Sequence, residues 1–109
     1  MKRIVIWAWV VGFAMIGSPA LAEEMGNVRN GAAFAEAACS TCHAVRPRQD
    51  RSPNPKAPSF ERVAAMPGMT WTALHAWLVT PHPTMPDLVL SAGDKDDLAA
   101  YILSLKRKN

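Results

Sequence analysis

Both cysteines of the chain fall inside one five-residue stretch, Cys39-Ser40-Thr41-Cys42-His43. Thiols this close in sequence cannot tie distant segments together. A disulfide between them would close a loop too tight to restrain the unfolded chain much. Yet the chain needs tying. It has 109 residues, enough for one small domain and too few for a multidomain enzyme. Half of it is apolar and 19% is charged, which excludes a disordered tail. The formal charge of +3 is too small for a nucleic-acid binder.

Part of that charge and apolarity belongs to the first 22 residues. Met1-Lys2-Arg3 is a short basic start, residues 4–16 are an unbroken apolar run, Gly17-Ser18-Pro19 breaks it, and Ala20-Leu21-Ala22 puts alanine at both key positions of an A-x-A cleavage site. This is the pattern of a secretory signal peptide. An uncleaved anchor is the competing reading, but the run is 13 residues where a helical span takes about 20. The expected division is therefore a signal peptide over 1–22 and one domain over 23–109, exported to the periplasm with no stable membrane span left after cleavage. The mature segment carries 10 basic and 9 acidic residues. Of its 38 apolar residues 14 are alanine, which leaves 24 larger ones. A core this small is marginal alone and needs a staple.

The cysteine stretch answers that need. C-x-x-C-H is the attachment pattern of c-type haem. Thiols three residues apart reach the two vinyl groups on one edge of the porphyrin, and the adjacent His43 is held against the iron as proximal ligand. The other readings are weaker. A thioredoxin-like redox site lacks a surrounding βαβ pattern. A zinc site would have to use His75 and His82, which are seven residues apart with no second cysteine pair. The expected cofactor is one covalently bound haem c on Cys39 and Cys42, buried among the larger apolar side chains.

Four helices and no convincing strand can be placed around it. The first is alanine-rich, capped by Asn27 or Asn30, and runs to about residue 40. Residues 46–58 hold four prolines and four basic residues, so they form a long extended loop. Loops of this length in small domains are functional or wrap something. A short helix follows Ser59 over 60–66. The third starts after Thr70, sets Trp71, Leu74, Trp77 and Leu78 along one face, and ends at Pro81. The last starts at Ser91 with Asp94 three residues on, a capping-box variant. Asp94, Asp96 and Asp97 lie at its positive end and Lys106, Arg107 and Lys108 at its negative end. Leu98, Tyr101, Ile102 and Leu105 form its apolar stripe.

The sixth iron ligand comes from Met66, Met69, Met85, His75 or His82. Met85 is favoured because Pro81, Pro83 and Pro86 stiffen its loop, and Met/His ligation is the electron-transfer pattern. His82 is the runner-up. Met66 and Met69 read as flexible core fillers, and His75 as a partly exposed helix residue.

Together these residues resemble a class I monohaem cytochrome c of the small bacterial periplasmic type, over residues 31–105. The resemblance implies an all-α fold of three to four helices around one haem. It gives Gly31 and Tyr101 the crossing of the first and last helices. It matches Met85-Pro86 to the distal ligand. It assigns the carbonyl of Pro58, with Pro55 the alternative, as acceptor for the proximal histidine's Nδ1–H. Many relatives carry a large residue where this chain has Ala35, with Phe34 adjacent instead.

The implied function is one-electron carriage between periplasmic redox partner proteins, without enzymatic activity, as a monomer or a small subunit. Alternatives are a gas sensor or peroxidase-like protein with a labile sixth ligand, and a cytochrome subunit of a larger dehydrogenase. Arg46, Arg48, Arg51 and Lys56 are read either as a solvated loop or as a face that steers toward an acidic partner.

Overall fold

The structure is a computed structural model describing residue 12 and residues 26–80, 82–86 and 88–107. The expected signal peptide over residues 1–22 apart from Gly12, and Lys108, lie outside the described residues. Among the described residues four helices form: α1 Val28–Ala38, α2 Phe60–Ala65, α3 Trp71–Val79 and α4 Ala92–Ser104. Among the described residues there is no strand, and no helix is long and apolar enough to cross a membrane.

Each helix starts at an extended residue whose side-chain oxygen accepts the third helical N–H, satisfying a donor that the helix itself cannot. These caps are Asn27, Ser59, Thr70 and Ser91. Of the two asparagines considered for α1, Asn27 is the cap and Asn30 is its donor, at 3.0 Å. At α4 the capping box is complete, since Asp94 Oδ2 also accepts from Ser91 N at 3.3 Å. Two of the helices stop short of prolines. Met66 and Thr80 are extended because the ring of the next residue disfavours the helical region. The second helix therefore ends one residue earlier than its pattern suggests.

α4 is the spine. Leu98, Tyr101, Ile102 and Leu105 are all buried. α1 crosses it at Gly31, where a Cβ would lie 2.0 Å from Asp97 O and 2.7 Å from Tyr101 Cβ. Only a residue without a side chain permits that approach. Gly26 makes a second one. Its φ is +93°, and a Cβ there would lie 2.2 Å from Asp96 O. Between them Asn27 N donates to Asp97 Oδ1 at 2.6 Å. Ala35 is fully buried at the crossing, and Phe34 packs on the core from a half-buried position.

α3 packs on α4 through Leu74, which is buried, with Trp71 and Leu78 half-buried. Trp77 departs from the expected single face and is 50% exposed. At about 100° per residue it lies about 60° beyond Leu74, at the edge of the stripe.

Candidate haem attachment site

The attachment motif grows directly out of α1. Cys39 caps its C-terminus, and the turn continues as Cys42 N and His43 N both donate to Cys39 O, at 3.2 and 2.9 Å. This turn brings both thiols and the imidazole together on a short, stiff piece of backbone. Cys39 and Cys42 are half-buried and not joined to each other. Burial pushes the Cys39 thiol up to about 11, so it is held as an uncharged group.

The proline-rich loop wraps this turn. Asn54 N donates to Cys42 O at 3.1 Å, and Ala44 N donates to Ser52 Oγ at 2.9 Å. At the loop's end Pro58 O lies 2.7 Å from His43 Nδ1. A carbonyl can only accept, so Nδ1 carries a proton; in the neutral ring that leaves the lone pair on Nε2, the form that ligates a metal. Phe60 follows at once. Its N–H donates to Ala44 O at 2.9 Å, and its ring meets the His43 ring at 5.3 Å between centroids. The imidazole is thus fixed by one hydrogen bond and one aromatic contact. The anchoring roles of Ser52 and Asn54 have no spacing signal in the sequence. Both residues act by position on a folded loop.

The possible sixth ligands separate clearly. His75 has both ring nitrogens engaged, Nδ1 with Trp71 O at 2.9 Å and Nε2 with Asp96 Oδ1 at 2.8 Å. The His82 ring stacks on Trp77, with centroids 5.0 Å apart. Met66 is 45% exposed, and Met69 packs against the core. Met85 is half-buried in a turn closed by its own N–H to His82 O at 3.2 Å, after Thr84 at φ +74°.

The polypeptide fits a haem. It presents two unjoined thiols one turn from an imidazole whose Nδ1–H is already held by Pro58 O. It also holds a buried indole donor, Trp71 Nε1, with no hydrogen-bond partner among the described residues. Native interiors leave few such donors unmet, and the carboxylates of a haem are suitable acceptors. Among the described residues no cluster of three or more His, Cys, Asp or Glu is suited to hold a metal ion directly.

Of the loop cations, Arg46 pairs with Glu36 at 2.6 Å. Arg107 pairs with Glu61 at 3.3 Å. Arg48, Arg51 and Lys56 form no ion pair among the described residues.

No family model matches the chain, and no solved structure matches it. Cytochrome c-552 of Bradyrhizobium diazoefficiens is 38% identical over 97 residues, covering 89% of this chain and 89% of its own. That likeness extends along almost the whole sequence and agrees with the helical fold and the C-x-x-C-H turn. The chain belongs to the class I monohaem cytochrome c family and bears a covalently bound haem c that serves electron transfer.

Proposed function

We propose that the chain is an exported, periplasmic one-electron carrier. Its haem is bonded to Cys39 and Cys42 and ligated by His43 and Met85. The haem, when bound, supplies a ferrous–ferric couple. The chain supplies ligation, burial and a docking face. With both axial positions filled there is no open coordination site for a substrate, so the reading is a carrier and not an enzyme. A thioether sulfur favours the ferrous state and raises the potential.

The observation that carries this reading is the 2.7 Å contact from His43 Nδ1 to Pro58 O. It orients the imidazole as a proximal ligand and sets its tautomer. Support for Met85 comes from its proline-bounded turn and from the other uses of His75 and His82. Its redox partners meet the loop that carries Arg48, Arg51 and Lys56.

The test is spectroscopic. Ferric protein should show a sulfur-to-iron charge-transfer band that disappears in Met85→Ala, while acid–acetone leaves the haem attached in both. A parent that lacks the band and binds carbon monoxide readily would replace the carrier with a sensor or peroxidase-like protein.

A further inference from the structure

His75 sits between two acceptors. From its own helix, Trp71 O faces Nδ1 at 2.9 Å. From α4, the helix packed on α3, Asp96 Oδ1 faces Nε2 at 2.8 Å. A carbonyl and a carboxylate can only accept, so both contacts are hydrogen bonds only when the ring carries both protons. The ring is about one-fifth exposed and Asp96 about one-third, which weakens solvent screening without removing it. Asp96 is the one charged group paired with the ring among the described residues. The neighbouring Asp97 is turned the other way, onto Asn27 N. The remaining contact is the Trp71 indole, whose centroid is 3.5 Å from that of the imidazole.

We propose that His75 is a positioning residue whose protonation ties α3 to α4 through Asp96, sets the Trp71 indole, and so makes the haem potential depend on pH. With both protons His75 bridges the two helices and forms an ion pair. With one proton lost to solvent it can donate to only one of the two oxygens. The other contact then becomes a lone pair facing an acceptor, and the pair changes from neutral to negative. Trp71 carries this change toward the cofactor, because its ring lies against His75 at a tilt of 32° and its buried N–H is the unmet donor described above. Extra negative charge favours the ferric state, so the potential falls when His75 deprotonates. By linkage, one electron entering the iron raises the proton affinity of His75, and the proton it takes up comes from solvent. The inference rests on haem-based electron transfer and does not depend on Met85 as ligand.

The test uses the holoprotein. The midpoint potential is measured between about pH 5 and 8, where a histidine titrates. The Cε1 proton of His75 is followed by NMR in both iron states. The parent should show a fall in potential with one inflection, and a His75 midpoint that is higher in the ferrous state. His75→Gln should lose the inflection. Asp96→Asn should move it to lower pH. Both variants should keep the parent visible spectrum. A flat parent profile, an inflection unchanged in His75→Gln, or equal His75 midpoints in the two iron states would each overturn the proposal. Should His75→Gln fail to fold, the direction of the Asp96→Asn shift decides. A missing charge-transfer band with the inflection intact would sink Met85 and spare His75.

Discussion

Tyr101 Oη donates to Val45 O at 2.5 Å, joining the middle of the last helix to the backbone two residues beyond His43. The contact is buried, and it spans 56 residues of sequence. Burial raises the phenol above its ordinary value, with a further contribution from Glu36, so the group stays a donor throughout the working range. Tyr101 therefore has two roles. Its Cβ faces Gly31 at the helix crossing, and its hydroxyl holds the backbone segment that leaves the haem turn. Tyr101→Phe keeps the first and removes the second, leaving a buried carbonyl unmet. The expected cost is about 1–3 kcal/mol. It should read as a lower midpoint in denaturant unfolding of the holoprotein, with the visible spectrum retained.

Gly31 tests the crossing itself. The clash of an added Cβ is with the Asp97 carbonyl, which is backbone and cannot swing aside. Gly31→Ala must therefore part α1 from α4. An expected loss of at least about 2 kcal/mol exceeds anything the better helix propensity of alanine returns, about 1 kcal/mol. Thermal melting of the holoprotein checks it, and an unchanged midpoint would mean that the helices do not meet there.

Much of this frame is legible in the residues because it is local. Asn27, Ser59, Thr70 and Ser91 announce helix starts through their own side chains, and the prolines that follow Met66 and Thr80 announce the ends. The stripe of α4 is a matter of period. What the sequence conceals is pairing at a distance. Nothing about Ser52 or Asn54 says that they grip the haem turn. Gly26 looks like loop punctuation until its approach to Asp96 is seen. His75 reads as an ordinary helix residue because its partner lies 21 positions away. Trp77 misleads in the opposite sense, since a position at the margin of an apolar face counts as inside by period and lies outside by packing.

Glu36 provides a pH test with a defined sign. The Arg46 guanidinium, hydrogen-bonded to it, holds its carboxyl below the ordinary 4.5. A group whose folded value is depressed stabilises the fold above its unfolded value, and the contribution is lost as pH falls through the folded value. The parent should therefore melt slightly above Glu36→Gln at neutral pH, with the gap closing below pH 4.5. The pair is exposed, so the gap should also shrink with added salt. A gap that widens on acidification would contradict the assignment.

The loop cations should differ in what they do for electron transfer. Arg46 is neutralised by Glu36, whereas Arg48, Arg51 and Lys56 project charge without an ion pair among the described residues. Reduced protein oxidised by a small anionic oxidant such as hexacyanoferrate should react more slowly as ionic strength rises. Replacing Arg48, Arg51 and Lys56 by glutamine should flatten that dependence, and Arg46→Gln should leave most of it. A parent rate insensitive to salt would remove steering from the account.

The last prediction concerns why so small a chain folds. Among the described residues the buried apolar set is eleven side chains, of which four are alanine. The largest that are fully buried are only Leu74, Leu98 and Val45. Burial stabilises by roughly 25 cal/mol per Å², while each ordered residue costs about 1.5 kcal/mol of conformational entropy. A core of this size does not close that difference alone. Met66, Trp77 and Leu88 remain well exposed in the polypeptide, and apolar side chains of this kind suit a macrocycle better than water. The double variant Cys39→Ala with Cys42→Ala, purified free of haem, should therefore show no cooperative unfolding by circular dichroism. The parent holoprotein should melt in a single transition. A cooperative melt in the haem-free variant would show that the four helices support one another without the cofactor, and would leave the haem a passenger in the fold.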